Sequence, residues 1–162
     1  MVRFLVSASS IIQAPAEEVY NVLKDYNNEH AHIIPRKFFD GMRVLRGSGV
    51  GEGTRFEAHF KTFGQRTTLV MDVSEPEPGR ILQEIDTQAV NITKFIVDPI
   101  VDNDSSCNVT IRTDVMKERG WVAGTIDMWI KRKIMTHMYE EELKTLNQHM
   151  QSKRGRRADN EN

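Results

Sequence analysis

One cysteine, Cys107, is all the thiol this 162-residue chain contains. That excludes an internal disulfide and fits a reducing compartment. Long apolar runs are also missing: nothing approaches the roughly eighteen residues of a membrane helix, and the opening MVRFLVSASSIIQAP is too short and too interrupted for a signal peptide. The expectation is a cytoplasmic protein without an integral membrane segment, in which the N-glycosylation patterns at Asn91 and Asn108 carry no meaning. Charge of one sign is lacking too. With 22 basic and 23 acidic residues and a net charge of −1, the chain has no strong field for nucleic acid.

Reaction signatures are scarce. There is no G-x-S-x-G, and no acid–base pair flanks Cys107. The glycines at 47, 49, 51 and 53 lack the Lys-Ser/Thr ending of a phosphate loop and lead into a strand, so turn geometry explains them. His30 and His32 form an H-x-H pair that His59 could join, yet no cysteine or well-spaced carboxylate completes a metal set. Neither a metal nor a cofactor is expected.

What the chain does contain is hydrophobic periodicity. Residues 2–12 alternate loosely and read as a strand; Pro15, Glu17 and Glu18 then open a short helix carrying Val19, Val22, Leu23 and Tyr26. The segment 25–35 ends in a second brief helical turn, halted before Pro35. From Lys37 the period becomes two, with strands expected over 38–45, 54–62, 67–74, 80–86, 92–97 and 107–115. EPEPG and DNDSS mark turns between them, and such short connections imply an antiparallel meander.

Residues 120–150 read as one long helix. Trp121, Met128, Met135, Tyr139, Leu143, Leu146 and Met150 form a continuous stripe, while Val122, Ile126, Trp129, Ile130, Ile134 and Met138 form a second on roughly the opposite arc of the first half. A helix apolar nearly all round is normally enclosed, so the first half is expected to be gripped by other elements. Residues 1–150 form one domain, and 151–162, a polar and basic stretch without apolar residues, form a disordered tail.

The order of elements, with APAEEVYNVLKDY after the first strand, Pro35, GVGEGTRFE and EPEPGRILQE, resembles the SRPBCC superfamily, which includes the START lipid-transfer, Bet v 1-like and polyketide cyclase/dehydrase families. The resemblance implies an α+β helix-grip fold of order β-α-α-β6-α, a seven-stranded antiparallel sheet wrapped around the C-terminal helix. It also implies an internal cavity for a hydrophobic ligand. It transfers no catalytic residue, and a fold alone does not name a function.

The leading functional expectation is a module that binds a small hydrophobic molecule, such as a lipid, polyketide or quinone. Candidate ligand contacts are Phe56, Ala58, Phe60, Leu69, Met71 and Phe95 from strands, Trp121, Ile126 and Met128 from the helix, and His32 at the mouth. Glu84, Asp86, Arg112 and Asp114 most simply form the solvent face, and Lys94 fits either. If one of the four points inward, Arg112 is the choice to hold a carboxylate or phenolate. A cyclase- or aromatase-like enzyme is the second reading; a non-catalytic homodimer joined through Trp129, Ile130 and Ile134 is the third.

Overall fold

Alternation in the sequence becomes a single curved sheet. A computed structural model describes residues 4–116 and 128–161. Its elements are β1 (Phe4–Ile12), α1 (Ala16–Lys24), a 3-10 turn (His30–His32), β2 (Phe39–Arg46), β3 (Arg55–Thr62), β4 (Gln65–Glu77), β5 (Ile81–Asp86), β6 (Ile92–Ile100), β7 (Asn103–Val115) and α2 (Met128–Asn160). All strand pairs are antiparallel, in the order β1-β7-β6-β5-β4-β3-β2. Only one of the two expected small helices is an α-helix; the second is the 3-10 turn, cut short because Pro35 holds the residue before it out of the α region.

The strand phases follow from which side chains must leave water. In β3, Phe56, Ala58 and Phe60 are buried on the concave face while His59 is exposed. Register carries that phase across the sheet: Phe56 faces Met71, Ala58 faces Leu69, and Leu82 faces Phe95. α2 crosses this concave face, burying Met135, Met138, Tyr139, Leu143, Leu146 and Met150 in the same core as Val6, Ile12, Val97 and Ile111. The stripe read from Met135 to Met150 is therefore the gripped one.

Two helix expectations need correction. Met128, Trp129 and Ile130 are 45, 66 and 42% exposed, so the described start of α2 is not enclosed all round. Three consecutive residues span about 200° of the helix, so exposure here reaches both stripes, Met128 included, and Lys133 Nζ sits 5.2 Å over the Trp129 ring. Residues 120–127, with Trp121 and Ile126, lie outside the described residues. At the other end, the stretch expected to be disordered is helical through Asn160. Lys153 donates to Glu29 Oε1 at 2.7 Å, Arg154 to the Gln13 carbonyl at 3.0 Å and Arg157 to Glu18 Oε1 at 3.3 Å. Extending a helix that its buried turns have nucleated is cheap, and basic residues suit its C-terminal end.

The glycine loop after β2 does more than turn the chain. Gly49 has φ of 77° and its carbonyl accepts from the Tyr26 amide at 2.8 Å, while the Gly51 amide donates to the Lys24 carbonyl at 2.9 Å. A Cβ at Gly49 would run into the Asn27 side chain. Only a residue without a side chain lets the loop clasp the end of α1 this closely, and that clasp places Tyr26.

Candidate functional site

Between the concave sheet and α2 lies a cavity of about 140 Å³. Its apolar wall includes Phe56, Ala58 and Phe60 from β3, Leu69 and Met71 from β4, Phe95 from β6, and Met135 and Met138 from α2. A cavity of about 150 Å³ lined by apolar side chains holds a single benzene ring, so this one accepts one ring without rearrangement.

The polar wall holds three acids, Glu84 and Asp86 on β5 and Glu142 on α2, and the Asn91 amide. Glu84 on β5 and Glu142 on α2 both line the cavity, with His30 and Tyr139 beside them. Tyr26 stands behind Glu84 and donates its hydroxyl to Oε1 at 2.7 Å. The Tyr26 ring stacks on His30 and on Phe56, each at 4.6 Å between centroids, and His30 meets the Phe95 ring edge-on at 5.6 Å. His30 Nδ1 lies 2.6 Å from the Leu23 carbonyl, and Nε2 lies 3.8 Å from Glu84 Oε1. The Nδ1 contact requires a proton on that nitrogen. Opposite, Tyr139 and Thr113 share a hydrogen bond, and Thr113 is bonded to Thr93 at 2.8 Å.

Burial sets the protonation states. It raises the Glu84 carboxyl from 4.5 to about 7, against the Tyr26 hydrogen bond, which works downward. Glu142 is raised well above the usual carboxylate range, by burial first and then by repulsion from Glu84. Burial lowers His30 from 6.5 to about 4, although its bond to the Leu23 carbonyl works upward. At neutral pH the histidine is uncharged, and the Glu84 carboxyl is poised to hold or release a proton. The lone thiol is placed differently: Cys107 is buried in β7, away from the cavity lining, and burial pushes it up to about 11.

Six of the candidate contacts meet at this cavity: Phe56, Ala58, Phe60, Leu69, Met71 and Phe95. Three do not. His32 is exposed and stacks on His149 at 5.6 Å; its neighbour His30 is the buried histidine, because the tight turn sends the two rings to different sides. Arg112 lies on the convex face and pairs with Asp114 at 3.2 Å, since Thr113 takes the inward phase of β7. Met128 is exposed. Trp121 and Ile126 lie outside the described residues. Glu84 and Asp86, expected on the solvent face, are buried at 7 and 4% exposure because they share the phase of Leu82. Asp86 Oδ1 accepts from the amides of Gln88 and Ala89, closing the turn after β5.

Sequence reasoning missed Glu142 although a signal was present: it falls between Tyr139 and Leu146 at helical spacing, inside the buried stripe. No comparable local signal marks Glu84, whose inward phase comes from pairing with Val73 and Thr93 on the neighbouring strands.

No sequence profile of a known protein family matches the chain. No curated protein matches it either. Solved structures do. The KanY protein superposes with a TM-score of 0.74 at 19% identity, over 93% of this chain and 99% of its own. A START superfamily protein from Mycobacterium smegmatis gives 0.71 at 15%, over 91 and 97%. The Zhui aromatase/cyclase from Streptomyces sp. R1128 gives 0.63 at 16%, over 96 and 95%. At these identities the likeness is one of fold, the helix-grip arrangement of a seven-stranded antiparallel sheet around a long C-terminal helix.

Proposed function

We propose that this chain binds a small, ring-bearing hydrophobic molecule in the cavity between its sheet and α2. The observation that carries the reading is the cavity itself, apolar over most of its wall and polar at Glu84, Asp86, Glu142, His30 and Tyr139. Pockets that hold small molecules combine these features. Neighbours of this fold include a START superfamily protein and an aromatase/cyclase, which agrees with a cavity put to use. The single buried cysteine further supports a cytoplasmic setting.

Ala58 is the test position, because it lines the cavity with the smallest side chain of β3's concave face. Native mass spectrometry of protein isolated from its own host is expected to show a retained small molecule, and Ala58→Trp is expected to lose it while keeping a native circular dichroism spectrum. Retention by the folded variant would place the ligand elsewhere and remove this reading.

A second reading, a cyclase- or aromatase-like enzyme, is favoured by one observation: Glu84, buried in the cavity wall, held near neutrality and hydrogen-bonded by Tyr26, suits general acid–base work. If it holds, Glu84→Gln lowers turnover of the retained molecule far more than it weakens binding. Equal losses in both would leave binding as the function.

A further inference from the structure

The cavity wall has one electrostatic sense. Glu142 is only 6% exposed, lines the cavity, and meets no hydrogen-bond donor among the described residues; the neighbour that acts on it is another acid, Glu84. Glu84 reaches the cavity from the opposite wall and is already used as an acceptor by Tyr26. Around them stand Phe56, Phe60, Phe95 and Tyr139, whose ring faces carry negative potential. Among the described lining residues the one nitrogen base is His30, and its buried ring is neutral at pH 7. The buried Lys131 of α2 is not among the lining residues. It lies eleven residues before Glu142, about 16 Å along the helix axis.

An isolated acid is costly to bury, and three line this cavity: Glu84, Glu142 and Asp86, the last already accepting from the Gln88 and Ala89 amides. Three ligand classes answer this wall differently. An anion, such as a fatty acid or phenolate, would bring a further negative group beside these carboxyls. A neutral ring would leave the Glu142 carboxyl without a partner. A cation would meet both carboxylates and the ring faces together.

Building on the ring-binding reading above, we infer that the ligand is a ring-bearing amine whose ammonium group lies between Glu84 and Glu142. The ring occupies the apolar wall of Phe56, Ala58, Phe60 and Phe95, and the nitrogen points at α2. As the ammonium enters, carboxyl protons held in the empty cavity pass to solvent, leaving the cation paired with carboxylates.

Three single-ring probes of matched size separate the classes: benzylammonium, benzyl alcohol and benzoate, each titrated calorimetrically into the full chain at neutral pH. Benzylammonium is expected to bind at least about tenfold more tightly than benzyl alcohol, an advantage of about 1.4 kcal/mol, and benzoate is expected not to bind. Glu142→Gln and Glu84→Gln should each erase most of the amine's advantage over benzyl alcohol, the neutral amide removing the charge but keeping the shape. Equal binding of all three probes, or tighter binding of benzoate, overturns the amine assignment and leaves the ring-binding cavity standing. Binding of none overturns both. The comparison on the unaltered chain decides the matter even if a Gln variant fails to fold.

Discussion

At the scale of single residues, the buried polar cluster makes opposite demands on pH. Glu84 has its folded pKa raised from 4.5 to about 7. The fold therefore binds its proton more tightly than the unfolded chain does. Its contribution to stability is fully present below pH 4.5 and is lost as pH rises through about 7. His30 runs the other way. Lowered from 6.5 to about 4, it contributes stability above pH 6.5 that is lost as pH falls toward 4. Each shift corresponds to about 3 kcal/mol at most, and over the shared window the two offset. Removing one exposes the other. Relative to Glu84→Gln, the unaltered protein is expected to gain up to about 3 kcal/mol as pH falls from above 7 to below 4.5, read as the difference between urea unfolding curves of the two proteins. A difference that stays flat with pH would mean Glu84 is not buried as a neutral acid.

At the scale of elements, periodicity made the strands legible and did less for the polar site. Phe56, Ala58 and Phe60 alternate so cleanly with charged residues that their inward phase could be read directly, and register extends it to Leu69 and Met71. In β5 the same rule misplaces Glu84 and Asp86, since it assigns acids to water while Ile81 and Ile85 take the outer phase. What turns Glu84 inward is pairing with strands distant in sequence and a partner in Tyr26, delivered by the glycine loop. The helix shows the same division. Its stripe from Met135 to Met150 was legible, but its last turns were not, because their anchors, Glu18, Glu29 and the Gln13 carbonyl, come from the N-terminal third of the chain. Glu29 is the principal one, accepting from His149 at 2.6 Å and Lys153 at 2.7 Å. Burial pushes the Glu29 carboxyl up, but these two partners outweigh it and leave it below its ordinary value. Glu29→Gln is accordingly expected to speed amide exchange over residues 153–160 while leaving Leu143 and Leu146 protected. The global cost should stay within about 1 kcal/mol, as for other partly exposed ion pairs. Exchange that rises equally along all of α2 would show that Glu29 supports the whole helix and not its end.

At the scale of the whole molecule, the cavity belongs to every layer of the fold. β1 and β7 pair from Phe4↔Val115 to Ile12↔Cys107, joining segments about a hundred residues apart, and α2 crosses the sheet so formed. The lining comes from β2 through β7, the 3-10 turn and α2. No local opening removes the cavity and leaves the rest intact, so a ligand held there stabilises the cooperative unit. Mass action then sets the size of the effect: about 2.7 kcal/mol when free ligand is a hundred times its dissociation constant. For a chain of this length that corresponds to a rise in Tm of about 5–10 °C. The retained molecule, or benzylammonium at saturating concentration, should produce this rise by differential scanning calorimetry, and the rise should grow with the logarithm of ligand concentration. Ala58→Trp, with its cavity filled, should show none. If calorimetric titration shows binding and the Tm does not move, the ligand sits on a segment that opens independently of the sheet, and the cavity is not its site.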